Sequence, residues 1–178
     1  GRPALSQCAS FDATKKTLAN STDNMVNYLR GRSANENSAS ADLANRLYRY
    51  REFTPLGDIV NGSPVYVKRP PFKYSDAGYT AFKNANTGRQ GVVYLAANDG
   101  MLHALNAETG SELWAYIPTM VMKHMHAVAD ENYATNHRYM VDGTPVVGDV
   151  YVNTPTGMQW RTILVGGLNS GGRGYYAL

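Results

Sequence analysis

The segment VVYLAANDGMLHALNAETGSELWAYIP, residues 92–118, constrains the fold more than any other part of the chain. It holds three short apolar runs that are separated by two turn signatures, NDG and AETG. Because glycine adopts a positive φ without steric cost, Gly100 and Gly110 are suited to tight connections between antiparallel strands. A further β-rich run, SPVYVKRP, begins upstream at Pro64, a position that is tolerated at strand entry. These four runs predict a meander of four short antiparallel strands.

The same pattern recurs later in the chain, which indicates a structural repeat. NGSPVYV at 61–67 is echoed by DGTPVVG at 142–148. VVYLAANDGMLHAL at 92–105 is echoed by TILVGGLNSGGRGYYAL at 162–178, with extra glycines in the turn. Constant units joined by loops of variable length are typical of β-propellers, in which four-stranded sheets are arranged around an axis.

The number of strands indicates only part of a propeller. The first unit offers four strands, whereas the second shows three before Leu178. A closed propeller needs at least about four blades, and two sheets alone leave long unpaired edges. We therefore predict a mainly β, partial β-propeller of about two four-stranded antiparallel blades, in which residues 57–178 form the first blades and the domain is apparently truncated. The remaining blades of the same protein, or a partner, are expected to cover the open edge.

Residues 1–56 differ in pattern and predict an N-terminal appendage of helix and loop that leads into the propeller. In LANSTDNMVNYLRG, the residues Leu18, Met25 and Leu29 fall on one helical stripe, and Gly31 follows as a helix stop. This part of the chain supplies little apolar material for a core of its own. We expect it to pack on the sheets that follow.

Three further segments are predicted from their patterns. SADLANRLYRYREF predicts a short helix that carries Leu43 and Leu47 at positions i and i+4. PPFKYSDAGYTAFKNANTGRQ is polar and aromatic, and we predict a surface loop. Between the repeats, TMVMKHMHAVADENYA predicts an inserted helix whose apolar residues are loosely spaced for one face, namely Met122, Met125 and Ala129.

Composition limits the classes of protein that this sequence can represent. Only 17% of the residues are charged, the formal net charge is +3 and the pI is near 9.0. Cys8 is the single cysteine, so neither an internal disulfide nor a cysteine zinc cluster can form within this chain. No apolar run approaches the ~20 residues that span a bilayer, so no membrane span is predicted. The first residues, GRPALSQCAS, lack a signal-peptide pattern, so they carry no indication of export.

The histidines do not predict a metal site. His124 and His126 are two residues apart, which would place them on one face of a strand but on separate faces of a helix. Their surroundings have a helical pattern, so no metal is expected there. His103 alternates with Leu102 and Ala104 in a strand, and we expect a hydrogen-bonded structural histidine that faces away from them.

No catalytic or cofactor-binding residue is predicted. GGLNSGGRG is rich in glycine, but no Lys-Ser/Thr pair follows it and its context is a hairpin, so it lacks the features of a phosphate loop. Asp58, Asn61, Asp142 and Asp149 flank turns. Carboxylates at such positions usually accept backbone N–H groups and fix the turn.

The run RLYRYR, residues 46–51, interleaves arginine with tyrosine and allows three interpretations. Nucleic-acid contact is the first, but three arginines form a small footprint, so no nucleic-acid partner is predicted. The second is an amphipathic turn whose tyrosines pack on the first blade while its arginines are solvated. The third is a protein-binding rim, because arginine and tyrosine are enriched at interface hot spots. The candidates for this rim are Arg46, Tyr48, Arg49 and Tyr50.

The segment AANDGMLHALNAETGSELWAYIP resembles the repeat of pyrroloquinoline-quinone-type propellers, whose blades end in Ala-x-Asp-x-x-x-Gly-x-x-x-Trp. Asparagine stands here in place of the usual aspartate. The resemblance implies a quinoprotein-like fold in which the alanine packs tightly, the glycine turns the chain and the tryptophan wedges between neighbouring blades. The residues of this structural blade motif are Gly100, Ala104, Asn106, Gly110 and Trp114.

A narrower resemblance extends over roughly residues 18–178. The chain is similar to the start of the C-terminal propeller domain of the PilC/PilY family, the tip-associated adhesins and biogenesis factors of bacterial type IV pili. The resemblance implies an exported protein in the periplasm, at the outer membrane or at the pilus tip. The segments that carry it, in order, are NYLRG, RLYRYRE, PLGDIVNGSPVYV, VVYLAANDGMLHALNAETGSELWAYIP, YMVDGTPVVGDVYV and WRTILVGGLNSGGRGYYAL.

The function that the resemblance implies is non-enzymatic. It consists of promoting pilus assembly by opposing retraction, supporting twitching motility, and attachment to host cells or abiotic surfaces, with minor pilins as further partners. Family members that bind calcium in this domain use a D-x-D-x-D loop in a later blade. Asp99, Asp142 and Asp149 are too widely spaced to form one oxygen cage, so no calcium or other cofactor is predicted in this fragment. The resemblance leaves calcium open for other parts of the parent protein.

Two alternatives stay open beside this interpretation. One is a fragment of a quinone-dependent dehydrogenase, whose calcium-held quinone commonly accompanies an adjacent Cys-Cys pair. A chain with a single cysteine cannot supply that pair, and the fold alone does not imply the activity. The other alternative is a generic propeller scaffold for the assembly of envelope proteins.

Overall fold

Two antiparallel sheets dominate the computed structural model, which describes residues 5–38, 41–52 and 54–178. The first sheet has the strand order β1-β2-β3-β4 and the second has the order β5-β6-β7. The strands are β1 (Val65–Val67), β2 (Val92–Ala97), β3 (Met101–Asn106), β4 (Glu112–Tyr116), β5 (Val146–Thr154), β6 (Gly157–Gly167) and β7 (Tyr175–Ala177). The prediction of a mainly β fold with antiparallel sheets is confirmed.

The helices are short and lie before and between the strands. The α-helices are α1 (Ala13–Ala19), α2 (Thr22–Leu29), α3 (Tyr79–Ala85) and α4 (Thr119–Met122). Turns of 3₁₀-helix span Ser6–Ser10, Leu43–Asn45, Met125–Ala129 and Asn169–Gly171. Within the described residues, no helix is both long enough and apolar enough to cross a membrane.

The first sheet forms as its turn signatures predict. Gly100 (φ +93°) closes the β2–β3 hairpin and Gly110 (φ +73°) closes the β3–β4 hairpin. A Cβ at Gly100 would also meet the sulfur of Met125, which would have to shift, so the positive φ is the stronger reason for glycine at this position. The strand β1 pairs antiparallel with β2, with Val65 opposite Tyr94, and completes the sheet.

The repeated loops that precede β1 and β5 pack against each other. The backbone and side-chain amides of Asn61 donate to the Asp142 carboxylate at 3.1 and 2.6 Å. The backbone amide of Ser63 donates to Thr144 Oγ1 at 2.9 Å. Each pair is 81 residues apart, which is the offset of the repeat, so equivalent positions of the two units meet directly. Successive propeller blades require this kind of neighbourhood.

One hydrophobic cluster joins the two sheets to the N-terminal segment. Ala96 and Leu102 of the first sheet, and Leu164 and Tyr176 of the second, are buried in it. The described part of the N-terminal segment contributes five buried residues to the same cluster, which are Leu5, Ala19, Tyr28, Leu47 and Tyr48. The N-terminal segment therefore shares its core with the sheets rather than forming one of its own.

The predicted stripe of Leu18, Met25 and Leu29 packs against this cluster, but on two helices instead of one. Ser21 precedes α2 with extended backbone (φ −64°, ψ 130°) and separates it from α1. Gly31 follows α2 with a φ of +86°, so its predicted role as a helix stop is confirmed.

The predicted helix that carries Leu43 and Leu47 is wrong, because residues 41–52, which the structure describes, form only a single 3₁₀ turn. Leu47 is buried, whereas Leu43 is 67% exposed. The backbone amides of Leu47 and Tyr48 donate to the carbonyl of Asn35 at 3.1 and 2.9 Å, so they do not enter a helix. A non-local backbone contact thus replaces the helical one.

The predicted inserted helix is wrong in extent. The helix α4 gives way to a 3₁₀ turn, since the His124 amide donates to the Val121 carbonyl at 2.8 Å in an i to i−3 bond. This tighter winding changes which residues share a face. Met125 and Ala129 are buried as expected, but Met122 is 54% exposed and Val121 is buried instead.

The segment 70–90, predicted as a surface loop, contains α3 and an aromatic cluster. Tyr79 is buried; its ring lies 4.8 Å from that of Trp160, and its hydroxyl donates to Asp149 Oδ2 at 2.7 Å. Trp160 Nε1 donates to the Ala77 carbonyl at 3.0 Å. The prediction is wrong because these side chains pack onto the distant strand β6. The aromatic cluster comprises Phe72, Tyr74, Tyr79, Phe82, Tyr151 and Trp160.

Candidate interaction surfaces

Trp114 of the blade motif lines the boundary between the two sheets. Ala104 is fully buried and lies opposite Trp114 across the β3–β4 pair. The Trp114 ring lies 5.7 Å from the Tyr94 ring. Together with Val147 and Leu164 of the second sheet, these two aromatic residues line a cleft of about 570 Å³. Because 42% of its surface is exposed, Trp114 fills the cleft only in part, and its role as a wedge stays a prediction.

Asn106 fixes the turn that follows it. Its side-chain oxygen accepts the backbone amides of Glu108 and Thr109 at 2.9 and 3.2 Å, and its carbonyl accepts the amide of Gly110 at 2.8 Å. An aspartate would offer the same acceptor oxygen at this position. The asparagine therefore departs from the family pattern without loss of the turn geometry.

Asp99, His103 and Glu112, which we name the His103 cluster, form the polar centre of the opposite face of the first sheet. His103 Nε2 lies 3.0 Å from Asp99 Oδ2, and His103 Nδ1 lies 2.6 Å from Glu112 Oε1. Asp99 also accepts the backbone amides of Gly57 and Met101 at 2.8 and 3.1 Å. The expected hydrogen-bonded histidine is confirmed, and Asp99 emerges as a turn-fixing carboxylate that the sequence did not single out.

The His103 cluster favours a protonated imidazole. Burial opposes the charged form, but the hydrogen bonds and negative charges of Asp99 and Glu112 outweigh it and raise the pKa of His103 above its ordinary value. Both ring nitrogens then donate to carboxylates. A histidine held in this way cross-links the β2–β3 turn to β4 and has no free nitrogen to serve as a base.

A cavity of about 760 Å³ opens beside the His103 cluster, between α2 and the first sheet. Val26 and Leu29 of α2 face Met101, Leu105 and Ile117 across it. None of the described residues that line this cavity is serine, threonine, cysteine or lysine. The cavity is suited to an apolar group and offers no hydroxyl, thiol or amine nucleophile.

The predicted protein-binding rim is wrong for Tyr48. This side chain is fully buried and its hydroxyl donates to the Ala19 carbonyl at 3.0 Å, so it is unavailable to a partner. Arg49 is also engaged, since its Nε donates to the Val128 carbonyl at 3.0 Å and its guanidinium lies 4.7 Å from the Tyr133 ring centroid.

The arginines of this run are not simply solvated either. Arg51 is buried in an ion pair with Glu36 at 2.6 Å, and its guanidinium lies 3.7 Å from the Tyr28 ring centroid. Tyr50 is 46% exposed and Arg46 is half-buried. A rim role for Arg46 and Tyr50 stays a prediction.

The turn carboxylates differ in what they bind. Asp142 accepts the Asn61 amides and so fixes a loop as predicted. At Asp58, burial opposes ionisation, but bonds from the side chains of Asn98 and His137 outweigh it and lower the pKa of this carboxyl. Asp149 accepts two side-chain hydroxyls instead, at 2.7 and 2.8 Å, so its predicted turn-fixing role is wrong.

The histidine pair near α4 is not assembled into a metal site. His124 Nδ1 lies 3.2 Å from an Arg138 nitrogen. Across the described ranges, no group of three or more histidine, cysteine, aspartate or glutamate side chains is placed to hold a metal ion.

Comparisons with known proteins match both sheets to one family. The family model described as the PilY1 beta-propeller domain matches residues 56–178. A type IV pilus biogenesis factor PilY1 homolog of Xylella fastidiosa (strain Temecula1) is 39% identical over 179 residues, which cover 94% of this chain and 14% of that protein. Type IV pilus biogenesis factor PilY1 of Pseudomonas aeruginosa (strain PAK) is 35% identical over 161 residues, which cover 86% of this chain and 13% of that protein.

A solved structure is also similar. The Pseudomonas aeruginosa PilY1 C-terminal domain shares 32% identity, with a TM-score of 0.47, over 63% of this chain and 21% of that one. The chain thus spans only a small part of the length of the relatives that it matches. The family match across 56–178 and the identity over most of the chain lead to one conclusion: the chain belongs to the PilY1 β-propeller family.

Proposed function

We propose that this chain is part of a type IV pilus assembly factor and acts as a non-enzymatic scaffold. The observation that carries the proposal is the family match, which spans both sheets and the loops that join them. The curated relatives are named as type IV pilus biogenesis factors. In this proposal the protein is exported and acts in the periplasm, at the outer membrane or at the pilus tip.

The outer face of the second sheet supports a scaffold role. Val146, Val165 and Ala177 lie side by side across β5, β6 and β7, and Val146 is 70% exposed. Tyr175 is 81% exposed. An apolar face of this kind is stabilised by contact with a further sheet or a protein partner. We assign it to the remaining blades of the same protein and expect minor pilins to bind the assembled propeller.

The His103 cluster supports the non-enzymatic part of the proposal. It is an acid–base arrangement beside a cavity, but carboxylates occupy both of its imidazole nitrogens. Cys8 is the single cysteine, so the adjacent cysteine pair common in quinone dehydrogenases has no counterpart in this sequence. Adhesion to host cells or abiotic surfaces and support of twitching motility complete the proposed role.

The assembly role is tested by deletion of the gene in its own organism, followed by complementation with the complete gene product. We expect the deletion to reduce surface pilin that can be sheared from the cells, while total cellular pilin is unchanged. Complementation should restore surface pili and twitching zones. Normal amounts of sheared pilin in the deletion strain would contradict the proposal.

The dehydrogenase alternative is tested separately with purified protein. Pyrroloquinoline quinone and calcium are added, and dye reduction is followed with a panel of primary alcohols and aldose sugars. The scaffold proposal predicts no reduction above the rate without protein. Turnover that depends on both quinone and protein would overturn it.

A further inference from the structure

A cavity at the junction of the two sheets has no role in the proposed scaffold function. It lies between β1, the segment 68–73 that follows β1, and the second sheet, and its volume is about 860 Å³. Cavities that bind small molecules usually measure about 300–1,000 Å³. The size of this cavity is therefore suited to a small organic ligand.

The lining of this cavity concentrates positive charge. Among the described residues, five basic side chains and a single carboxylate, that of Asp149, contribute to it. The local formal charge is therefore five minus one, or +4, against +3 for the whole chain. The basic residues are Lys68, Arg69, Lys73, Lys83 and Arg89.

Most of these charges have no carboxylate partner. Lys83 donates to the Phe72 carbonyl at 2.9 Å. Arg89 donates to the Lys68 carbonyl and, at 2.9 Å, to Thr162 Oγ1, while its second terminal nitrogen is buried without a hydrogen-bond partner in the described structure. These groups bind neutral oxygens, which do not offset their charge.

The remaining charges lie in reach of solvent. Arg69 and Lys73 are exposed and enter none of the ion pairs in the described residues. Lys68 lies 3.9 Å from Glu108, with both side chains largely exposed, so this pair is weak. Asp149 is already held by two hydroxyls. The positive charge of the lining is therefore largely not neutralised within the chain, and an anionic ligand would be attracted to the cavity.

One wall of the same cavity is apolar. It consists of Val65 and Val67 from β1, Pro70 from the segment that follows β1, and Val147 from β5. An inorganic anion would leave this wall uncovered, whereas a ligand with a carbon skeleton would contact it. Thr87 and Thr162 also line the cavity. Their hydroxyls already donate to the Lys83 carbonyl and to Asp149, so toward a sugar hydroxyl they can act only as acceptors.

We propose that this cavity binds an anionic saccharide, that is, a sugar that carries two or more sulfate or phosphate groups. Arg69 and Lys73 bind the anionic groups, because guanidinium and ammonium groups are strong donors to oxyanions. The valines of β1 and β5 contact the sugar ring. The proposal concerns this chain alone and does not depend on the pilus role.

Isothermal titration calorimetry with the chain tests the proposal. The ligands are a sulfated disaccharide, a sugar bisphosphate, the uncharged parent sugars and inorganic pyrophosphate. We expect at least one charged sugar to bind, and the comparison of the two shows which anionic group is preferred. The uncharged sugars should not bind, pyrophosphate should bind about tenfold or more weakly, and added salt should reduce the affinity.

The double variant Arg69→Ala/Lys73→Ala should raise the Kd for the charged sugar by about tenfold or more, since two charged contacts are lost. Arg69→Gln/Lys73→Gln, which keeps polar side chains, should have the same effect. The matched control Lys16→Ala/Arg173→Ala also removes one exposed lysine and one exposed arginine, but outside the cavity, and should change the Kd less than about twofold.

Four outcomes would overturn the proposal. Three come from these titrations: no binding of either charged sugar, an unchanged Kd in both cavity variants, and pyrophosphate binding as tight as that of the sugars. The fourth comes from a parallel titration with a single-stranded oligonucleotide, and it is tighter binding of the oligonucleotide than of either charged sugar. The last result would assign the basic lining to nucleic acid. Circular dichroism of each variant confirms that it is folded before it is titrated.

Discussion

Trp114 and His103 lie on adjacent strands but on opposite faces of the first sheet. His103 is paired with Ala115, the neighbour of Trp114, and side chains alternate along a strand. Trp114 therefore lines the cleft toward the second sheet, whereas His103 lines the cavity beneath α2. The two residues stabilise different boundaries of the sheet.

Replacing Trp114 with alanine should lower the free energy of unfolding by about 1–2 kcal/mol. A fully buried tryptophan costs about 3–5 kcal/mol when truncated, but this ring is 42% exposed. Tyr50→Ala is the control, because Tyr50 is similarly exposed at 46% and should cost about 0.5 kcal/mol or less. Urea denaturation measures both. Equal losses in the two variants would show that Trp114 packs no better than a surface residue.

The His103 cluster predicts a pH-dependent contribution to stability. The folded-state pKa of His103 is raised, so its contribution is fully present below the unfolded value of about 6.5. That contribution is lost as the pH rises through the folded-state pKa. The difference in free energy of unfolding between wild type and His103→Gln should therefore shrink as the pH is raised from 6 to 9. A difference that grows over this range would mean that the folded protein favours the neutral imidazole of His103 and not the protonated one.

The conformation of some of these residues can be predicted from their sequence neighbours, whereas the contacts of others cannot. Gly100 and Gly110 follow from turn chemistry that involves only their neighbours, and the structure has both at positive φ. The orientation of His103 follows from strand alternation. Its contact with Glu112 does not, because the β3–β4 register shifts between Ala104 and Leu105. A bulge of this kind has no signature in the sequence around it.

At the scale of elements, the aromatic cluster shows why hydrophobic periodicity does not predict α3. The segment 70–90 has no apolar repeat of helical period, yet α3 forms in it. Its stability comes from Tyr79 and Trp160, whose rings are 81 residues apart in sequence and 4.8 Å apart in space. Packing against a distant strand determines this element, so the segment alone does not predict it.

Tyr79→Phe should lower the free energy of unfolding by about 1–2 kcal/mol. The ring stays in place, but the buried carboxylate of Asp149 loses one of its donors. Tyr74→Phe is the matched control, because Tyr74 is 39% exposed and its hydroxyl makes no hydrogen bond in the described structure. Hydrogen exchange should show faster amides in α3 only for Tyr79→Phe. Equal stability of the two variants would mean that the hydrogen bond from Tyr79 to Asp149 does not stabilise the fold.

At the scale of the whole molecule, the repeat is the feature that sequence predicts best. Asn61 and Asp142 are equivalent in the two units, and the structure brings them into direct contact. The packing of the N-terminal segment is less predictable, since Tyr28 and Tyr48 are buried through contacts with distant parts of the chain. The offset between the repeats can be read by aligning two segments of the sequence. The burial of Tyr28 and Tyr48 depends on residues far away in the chain and cannot be read in that way.

The contact between the repeated loops should couple the two sheets. A double-mutant cycle with Asn61→Ala and Asp142→Ala should give a coupling energy of about 1–2 kcal/mol, because the side-chain amide of Asn61 donates to the buried carboxylate of Asp142. The backbone amide of Asn61 is kept in Asn61→Ala, so its bond to Asp142 does not enter the coupling energy. Urea denaturation of the wild type, both single variants and the double variant provides it. Strict additivity of the two losses would mean that the side-chain bond between Asn61 and Asp142 does not couple the loops.

In the proposed function, the docking of the two sheets supports pilus assembly and the His103 cluster has no part in it. The most direct measurement is surface pilin sheared from cells whose complete gene product carries either Asn61→Ala/Asp142→Ala or His103→Gln, at matched protein levels near neutral pH. We predict reduced surface pilin in the first strain and normal surface pilin in the second. Normal surface pilin in the first strain together with its loss in the second would contradict the claim.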